Sequence, residues 1–349
     1  MRIILQKRHC AKVGLQYNSY TFMDYKVSVI VPIYNVEKFI ARCADTLMKQ
    51  TLKEVQFIFV NDCTPDNSIS VLEKVLAAYP ERMDSVSFIN HNINKGLPAA
   101  RNSGMKEAVG EYIFHCDSDD YVETDMLECL YNDAKSKDAD IVWCDWFLTF
   151  EKNERYMTQP EFMNTTDALK SMLGGGMKYN VWNKLVRRSL YINNNISFPS
   201  GYALGEDMTM MLLFAHANRV SYLSKAFYHY VKINTGAMSG VYSEKHMTEL
   251  RYNVDRTIKA LKTIYGERLE KEYAFLKLEA KFPFLIIGDT SMYKNWKEWY
   301  PEANKYILDN VNISFRNRCL QWFASKNLFC LVRLHYWLVC RFVYGILYR

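Results

Sequence analysis

Four strand-like runs, each followed by a helical pattern, constrain most strongly what this chain can fold into. The first run, residues 26–33 (KVSVIVPI), is a continuous apolar stretch rich in Val and Ile, which is typical of a strand covered on both faces. Comparable runs occupy residues 54–62, 85–91 and 111–116, and a polar loop and helical spacing follow each of them. This alternation predicts an α/β fold, in which a parallel-rich sheet carries helices on both of its faces.

The alternation weakens after about residue 150. Helical patterns remain at residues 166–173, 206–218 and 245–265, and three consecutive glycines at 174–176 indicate a hinge or turn. We therefore expect the second half to pack on the first half rather than to fold by itself. The expected divisions are an N-terminal extension (1–25), a first half (26–150), a second half (151–265) and a helical C-terminal region (266–349).

Charge and cysteine usage exclude several classes of protein. The formal net charge is +6, and the stretch from Arg316 to the C-terminus holds six basic and no acidic residues, so the rest of the chain is balanced and has no nucleic-acid footprint. The nine cysteines include no CxxC pair, which argues against a zinc site and favours reduced thiols over a disulfide framework. Neither a signal peptide nor an apolar stretch of membrane-spanning length is evident, and we expect a cytoplasmic protein.

A cluster of carboxylates directly follows the strand-like run at 111–116. Its five acids are Asp117, Asp119, Asp120, Glu123 and Asp125. Like charges this close repel one another, and a cation relieves the repulsion. Mg²⁺ and Mn²⁺ are bound by one or two carboxylates together with substrate phosphates. The spacing of Asp117 and Asp119 therefore predicts a metal site, for which a solvated acidic loop is the alternative.

Polar residues follow each of the four strand-like runs, at positions 32–35, 61–66, 91–96 and 117–120. In open α/β sheets, ligands bind beyond the carboxyl ends of parallel strands. If the four strands are parallel, all four clusters converge on one crevice. The convergence predicts a ligand site at that edge of the sheet, and ordinary polar loops are the alternative.

Four motifs, in this order and spacing, resemble those of family 2 glycosyltransferases with the GT-A fold: VSVIVPIYNVEKFI, FVNDCTPDNS, NKGLPAARNSG and FHCDSDD. The resemblance covers about residues 26–125 closely, and it points to the enzymes that build bacterial surface polysaccharides. It implies a nucleotide-sugar donor, a divalent metal ion and sugar transfer with inversion. It also implies that the first half binds the donor and that the second half binds the acceptor and carries the catalytic base.

The resemblance, carried over residue by residue, assigns a donor site. Asp62 is implied to read the nucleotide base, and Asp117 and Asp119 are implied to hold Mn²⁺ or Mg²⁺. The loop after Asp62 departs from the family's Asp-Asp-Gly-Ser-x-Asp pattern at Cys63 and Pro65, so the base is left open, with UDP as our hypothesis. The full set of implied donor contacts is Pro32, Tyr34, Asn35, Glu37, Asp62, Lys95, Gly96, Arg101, Asp117, Ser118 and Asp119.

An inverting transfer needs one general base to take the proton of the acceptor hydroxyl. The stretch GYALGEDMTM resembles the family's Glu-Asp motif, which implies Asp207 as the base and Glu206 as the residue that orients the acceptor. Both acids lie at the start of a predicted helix, whose dipole is expected to lower the pKa of Asp207 and keep it ionised. The alternative is a pair of acids that only complements the helix dipole.

The stretch VWNKLVRRS resembles the family's acceptor-side segment. It implies that Trp182 stacks on a sugar ring and that Asn183 and Lys184 hydrogen-bond to the acceptor, although a buried Trp is an equal alternative. His229 matches a place where some relatives have a third metal ligand, yet a histidine packed among aromatic residues is the commoner case. The loop NTGAMSG, residues 234–240, is expected to close over the donor as a lid.

The C-terminal tail, CLQWFASKNLFCLVRLHYWLVCRFVYGILYR, is apolar, aromatic and basic. Arg333 and Arg341 interrupt it too closely for a membrane span. A basic amphipathic helix on the anionic inner face of the cytoplasmic membrane fits this pattern, near a lipid-linked acceptor. The alternative is a C-terminal helix that packs on the body of the protein.

These observations together predict a glycosyltransferase. It would move a sugar, with inversion and with a metal ion, from a nucleotide-sugar to a saccharide or lipid-linked saccharide acceptor in surface polysaccharide biosynthesis. Clustered aspartates are also compatible with a metal-dependent nucleotidyltransferase or phosphohydrolase. A non-catalytic nucleotide-sugar-binding protein is the third possibility.

Overall fold

The computed structural model describes residues 24–232 and 243–339. A mixed sheet of nine strands organises these residues, in the order β3-β2-β1-β4-β8-β6-β9-β5, with β7 paired to β6. The strands are β1 (Val27–Ile33), β2 (Val55–Asn61), β3 (Val86–Asn90), β4 (Tyr112–His115), β5 (Tyr121–Val122), β6 (Ile141–Thr149), β7 (Glu154–Met157), β8 (Lys184–Arg187) and β9 (Val220–Val231).

The direction of the strands changes in the middle of the sheet. The strand β1 is parallel to β2 and β4, and β2 is parallel to β3, as the sequence predicts. The next strand, β8, is antiparallel to both β4 and β6. The loops after β1, β2, β3 and β4 therefore leave the sheet at one edge, where a crevice for ligands is expected.

Helices cover both faces of the sheet. The α-helices are α1 (Ile40–Met48), α2 (Ser68–Leu76), α3 (Leu97–Glu107), α4 (Met126–Lys137), α5 (Thr165–Leu173), α6 (Arg188–Asn193), α7 (Thr209–His216), α8 (Glu244–Tyr265), α9 (Glu270–Lys281), α10 (Met292–Glu298), α11 (Phe315–Ser325) and α12 (Phe329–His335). The helices α1, α2 and α4 pack on one face, and α3, α5, α7 and α8 pack on the other. The predicted α/β layering is thus confirmed.

The residues of β1 show how the two faces are filled. Successive side chains of a strand point to opposite faces, so Val29 packs with α1 and Ile30 packs with α3, and both are completely buried. A strand covered on both faces needs apolar residues at every position. This requirement explains the unbroken apolar run from which the fold was predicted.

The two predicted halves share one sheet. The expected boundary near residue 150 falls between β6 and β7, which pair with each other. Beyond it, β8 inserts between β4 and β6, and β9 pairs with β6. The second half thus leans on the first, as expected, by contributing strands to its sheet. The helix predicted at 206–218 is shorter, because a 3-10 turn at Glu206–Met208 precedes α7.

The C-terminal region is helical and packs on the same core as α7 and α8. Leu320 and Ala324 of α11 and Val332 of α12 are buried in that core. None of the described helices is long and apolar enough to cross a membrane. The described cysteines are free thiols, as predicted. The N-terminal extension, the predicted lid at 234–240 and the tail after residue 339 lie outside the described residues.

Candidate active site

The acidic turn, Asp117–Asp120, follows β4 at the edge where the parallel strands end. Asp120 is buried, its Oδ2 accepts a hydrogen bond from the Tyr228 hydroxyl at 2.8 Å, and its Oδ1 accepts one from the Val231 N–H at 2.7 Å. Burial and the carboxylates of Asp119 and Asp117 raise the pKa of Asp120 well above its ordinary value. The strand β9 thus fixes the turn, while Asp117 and Asp119 keep partly exposed positions and Ser118 is buried.

A buried arginine joins the acidic turn to the second half. Arg101 lies on α3 and is 1% exposed. Its Nη2 donates to Asp117 Oδ1 at 2.8 Å, and its Nε donates to Glu206 Oε1 at 3.2 Å. Burial alone would lower the pKa of Arg101, but the carboxylates of Asp117 and Glu206 raise it, so the guanidinium stays charged. The contact with a diphosphate implied for Arg101 stays a prediction, because this side chain is occupied by two carboxylates.

Glu206 and Asp207 lie directly after Gly205, whose φ of 89° is accessible to glycine without strain. The Asp207 N–H donates to Glu206 Oε2 at 2.8 Å, which orients the glutamate that pairs with Arg101. Within the described part of the chain, Asp207 Oδ1 is enclosed and has no hydrogen-bond partner. Among these residues, this oxygen is therefore unpaired, and it has almost no contact with solvent.

The pKa of Asp207 differs from the sequence-based prediction. The helix start was expected to lower it, but burial and the neighbouring Glu206 carboxylate raise it well above its ordinary value. The reason is local, since residues 206–208 form a 3-10 turn and α7 begins only at Thr209. Desolvation of the carboxylate therefore outweighs the helix dipole. A raised pKa makes the ionised carboxylate of Asp207 a stronger proton acceptor, and it lowers the fraction of Asp207 that is ionised at a given pH.

The loop after β1 presents the exposed side chains of Tyr34, Asn35 and Glu37, whereas Pro32 is buried inside the strand. The loop after β2 holds this segment in place. The Asn35 N–H donates to Thr64 Oγ1 at 2.8 Å, and the Glu37 N–H donates to Asp66 Oδ2 at 2.9 Å. The first two loops of the crevice thus form one surface, as their positions at parallel strand ends predict.

Asp62 lies at the end of β2 and is 3% exposed. Its carboxylate accepts hydrogen bonds from the Lys95 N–H at 2.8 Å, the Gly96 N–H at 2.7 Å and His91 Nδ1 at 2.6 Å. It therefore fixes the loop that enters α3 and leaves the Lys95 side chain exposed. A carboxylate offers about four lone-pair sites, so the predicted contact of Asp62 with a base has one site left and stays a prediction.

The predicted acceptor-side segment is buried. Asn183 is completely enclosed and donates to the Cys144 carbonyl at 2.9 Å. Lys184 is 1% exposed, and its Nζ donates to Asn183 Oδ1 at 2.7 Å and to the carbonyls of Lys178 and Asn180. Both side chains lack accessible surface and have their polar groups engaged within the protein, so their predicted contact with an acceptor stays a prediction. Burial lowers the pKa of Lys184 to about 7, and Asp207 opposes this change.

The ring of Trp182 also has a packing role rather than an open face for a sugar. It is buried and stacks on Tyr228 at 4.5 Å and on Tyr230 at 5.4 Å between ring centroids. The alternation of β9 places Tyr228 and Tyr230 on one face and His229 on the other. The sequence alone does not identify Tyr228 as the residue that contacts both Trp182 and Asp120. The alternation along a strand would only have predicted that Tyr228 and His229 lie on opposite faces.

His229 has two carboxylate partners. Its Nδ1 lies 2.8 Å from Glu154 Oε1, and its Nε2 lies 2.8 Å from Glu123 Oε1. Its ring stacks between Tyr121 and Phe147, with centroids at 4.1 and 4.7 Å. Both ring nitrogens are therefore engaged, which favours the packed histidine over the third metal ligand.

The donor set at the acidic turn fits a metal ion that is shared with a diphosphate. In residues 24–232 and 243–339, no group of three or more His, Cys, Asp and Glu side chains is arranged to hold a metal ion. Asp117 uses Oδ1 for Arg101 and is 24% exposed, and Asp119 is half-buried beside it. Two carboxylates completed by phosphate oxygens and water match the way in which Mg²⁺ is usually held.

Comparisons with known proteins agree with this geometry. The sequence profile of Glycosyl transferase family 2 matches residues 28–203. The chain is 34% identical over 258 residues to the uncharacterized glycosyltransferase EpsJ of Bacillus subtilis, covering 71% of this chain and 67% of that protein. These matches favour a glycosyltransferase over a nucleotidyltransferase, a phosphohydrolase or a non-catalytic binding protein.

Two solved structures share the fold. S. aureus TarS 1–349 in complex with UDP-GlcNAc is 23% identical, with a TM-score of 0.63 over 89% of this chain and 91% of that one. The mannosyltransferase PcManGT from Pyrobaculum calidifontis, in complex with GDP-Man and Mn²⁺, is 14% identical, with a TM-score of 0.53 over 90% and 87% of the two chains. The fold is therefore GT-A, and this chain belongs to glycosyl transferase family 2 and is a glycosyltransferase.

Proposed function

We propose that this enzyme transfers a sugar, with inversion, from a UDP-linked donor to a saccharide or lipid-linked saccharide acceptor in surface polysaccharide biosynthesis. One observation carries the proposal. Arg101 contacts Asp117 on the donor side and Glu206 on the acceptor side, at 2.8 and 3.2 Å. The carboxylates for the leaving group and the carboxylate for the acceptor therefore belong to one site.

Asp207 is the general base of this proposal. Its carboxylate takes the proton of an acceptor hydroxyl while the hydroxyl oxygen attacks the anomeric carbon. The bond to the donor diphosphate breaks on the opposite face of the sugar, so the anomeric configuration inverts. Glu206 acts as a positioning residue, because it binds both the Asp207 N–H and Arg101.

Asp117 and Asp119 are the proposed ligands of Mn²⁺ or Mg²⁺. Such an ion, when bound, stabilises the negative charge of the departing diphosphate as a Lewis acid. Arg101 keeps Asp117 Oδ1 occupied, so the other oxygen of Asp117 would hold the cation. The exposed side chains of Tyr34 and Lys95 lie on the loops that border the crevice and are proposed to contact the nucleotide.

The donor proposal is supported by the two solved relatives, whose ligands carry uridine in one case and guanosine with Mn²⁺ in the other. A test is a thermal-shift screen of nucleotide-sugars with Mn²⁺, followed by a measurement of UDP release. Ligands that bind only the folded state raise the melting temperature. We expect UDP-sugars with Mn²⁺ to raise it most and EDTA to abolish the shift. An equal shift with EDTA would rule out the metal bridge, and a larger shift with GDP-sugars would rule out UDP.

The proposal includes peripheral attachment to the inner face of the cytoplasmic membrane. An aromatic-basic surface supports this attachment. Its exposed apolar side chains accompany Arg316, Arg318, Lys326 and Arg333, and no acidic residue occurs after Asp309. Aromatic insertion and attraction to anionic lipid act together at such surfaces. The exposed apolar residues are Phe315, Trp322, Leu328, Leu331, Leu334, Trp337 and Leu338.

A further inference from the structure

The C-terminal region contains a groove that the sugar-transfer chemistry does not use. It has a volume of about 510 Å³ and lies between α12 and the segment that enters α10. This volume is within the range of small-molecule sites, about 300–1,000 Å³. The lining residues are Thr290, Tyr293, Phe329, Cys330, Arg333, Leu334 and Trp337.

The floor of the groove is aromatic. The rings of Tyr293 and Phe329 stack with centroids 4.8 Å apart and an interplanar angle of 16°. At the rim, Leu334 is 53% exposed and Trp337 is 59% exposed. Exposed apolar surface of this kind, when it is contiguous and concave, marks a place where an apolar group is bound.

Two cations lie at the groove, and the exposed Asp289 is the chain neighbour of the lining residue Thr290. Arg333 is part of the groove wall, and Lys297 Nζ lies 6.0 Å from the centroid of the Phe329 ring. None of the seven lining residues is acidic. A guanidinium presents a planar fork of donors that matches two phosphate oxygens. The groove therefore pairs an apolar floor with an anion-binding wall.

We propose that this groove binds one anionic phospholipid of the bilayer. An acyl chain of the lipid packs on the rings of Tyr293 and Phe329, and the phosphate of its headgroup binds Arg333. Charge complementarity selects this occupant, since the aromatic-basic surface around the groove has cations and no acid from residue 310 onward. The inference rests on the proposed membrane attachment and makes it more specific. Attachment by diffuse charge needs only a charged surface, whereas a groove holds a single lipid molecule.

The test uses the full-length protein and a phosphatidylglycerol with two six-carbon chains, kept below its critical micelle concentration so that no bilayer is present. Titration followed by tryptophan fluorescence should give saturable binding. Arg333→Glu should weaken this binding at least tenfold by removing the phosphate partner, and Cys330→Phe should weaken it as much by filling the groove without changing charge. Lys326→Glu is the matched control, because Lys326 is an exposed cation of the aromatic-basic surface but does not line the groove. It should bind like the wild type.

Several outcomes would overturn the proposal. Equal binding of glycerol phosphate would show a phosphate site without a chain site, and equal binding of the zwitterionic phosphatidylcholine analogue would show that the groove does not select an anionic lipid. An equal loss in Lys326→Glu and Arg333→Glu would show diffuse charge. A dimer that forms without lipid and is lost in Cys330→Phe would identify a second copy as the occupant.

The readouts separate this proposal from the others. The melting-temperature shift with UDP and Mn²⁺ reports the donor site in every variant, and it should stay unchanged. If anionic vesicles bind Cys330→Phe and Arg333→Glu as tightly as the wild type, the proposed membrane attachment is supported and the proposed lipid binding in the groove is ruled out. If vesicles bind none of the proteins, the attachment itself is wrong.

Discussion

The charges at the centre of the site are paired across the two halves of the chain. The guanidinium of Arg101 satisfies Asp117 and Glu206 in a place where all three side chains lose most of their hydration. A buried ion pair is a weak source of stability as a whole, but the removal of one partner leaves the others uncompensated. We therefore expect a substitution of Arg101 to lower both the stability and the activity of the protein.

Replacing Arg101 with Met should lower the free energy of unfolding by about 3–5 kcal/mol, because two carboxylates are left without their counter-charge. Urea unfolding at neutral pH measures this loss. Arg187→Met is the control, since Arg187 pairs with Asp138 and Asp140 in a more exposed place and should cost less. Similar losses in the two variants would mean that the Arg101 bridge is hydrated.

Asp207→Asn should lower kcat by about 10²–10⁴-fold, which is the usual contribution of a positioned general base. Affinity for UDP should not change, because Asp207 is not a proposed donor contact. The measurement is UDP release in the presence of acceptor, together with calorimetric titration of UDP. Asp289→Asn, a change at an exposed carboxylate of the C-terminal region, is the control. Near-normal turnover in Asp207→Asn would move the base elsewhere.

The same variant should be more stable than the wild type at neutral pH. The pKa of Asp207 is raised by folding, so the folded state holds its proton more tightly than the unfolded state does. Stability from this group is present below the ordinary carboxyl pKa and is lost as pH rises toward the raised pKa. Asn does not titrate, so the Asn variant does not lose stability in this way. Each unit by which folding raises the pKa corresponds to about 1.4 kcal/mol of the free energy of unfolding. Unfolding at pH 4 and pH 8 should show the gain only at pH 8.

Sequence predicts the identity of these acids better than their partners. Asp117, Asp119, Glu206 and Asp207 stand out because local patterns carry them. The contact between Arg101 and Glu206 joins residues 105 positions apart, and no local pattern encodes such a contact. The pKa of Asp207 was predicted in the wrong direction for the same reason, since burial depends on the packing of distant segments.

At the scale of elements, the predicted strands β1, β2 and β4 are confirmed because a strand buried on both faces leaves an apolar run. The strand β3 is also confirmed, although it lies at the edge of the sheet and is only partly buried. The strands β8 and β9 leave no such run. The first has only four residues, and the pairing of β9 with β6 shifts register around Asp145, where Ser224 and Lys225 interrupt the apolar pattern. Bulges of this kind break the alternation on which a prediction depends.

The helix α8 holds the loop that carries Glu206 and Asp207, the proposed catalytic acids. Asn253 is completely buried, and its Nδ2 donates to the carbonyls of Tyr202 and Leu204 at 3.0 Å each. Leu204 N–H in turn donates to Glu249 Oε2 at 3.0 Å. The position of Gly205, and hence of the turn that follows it, depends on this helix.

Asn253→Ala should therefore lower stability by about 1–3 kcal/mol, the cost of leaving buried carbonyls without a donor. It should also lower kcat while leaving UDP affinity unchanged, because the loop and not the donor site is loosened. Hydrogen exchange at residues 202–206 is the direct measurement. Asn194→Ala removes a comparable bond to the Leu190 carbonyl at the end of α6 and serves as the control. Unchanged exchange in Asn253→Ala would show that α8 does not hold the loop.

On the scale of the whole molecule, the C-terminal helices serve two roles. One face of α11 and α12 places Leu320, Ala324 and Val332 in the core, and the other face exposes the aromatic-basic surface. Deletion of residues 318–349 would thus unfold part of the core as well as remove the aromatic-basic surface. Point substitutions on the exposed face separate the two roles.

Changing both Arg316 and Lys326 to Gln should weaken binding to anionic vesicles at low salt by roughly 30-fold, since each basic residue near such a surface contributes about 1 kcal/mol. The melting temperature should stay the same because both side chains are exposed. Vesicle sedimentation at low and high salt is the measurement. The pair Lys74→Gln and Lys106→Gln, on α2 and α3, is the control. Equal weakening in both pairs would mean that no particular surface faces the membrane.

The ion pair between Arg101 and Glu206 also bears on how such enzymes diversify. The proposed division, with the donor bound by the first half and the acceptor by the second, suggests that relatives could exchange their second halves, in evolution or in the laboratory. Yet the buried guanidinium of Arg101 joins the two halves, and water cannot replace Glu206 as its partner. We expect chimeras joined near residue 150 to be active only when the incoming half supplies a carboxylate at the position of Glu206. Whether second halves can be exchanged thus depends on the negative charge at the position of Glu206.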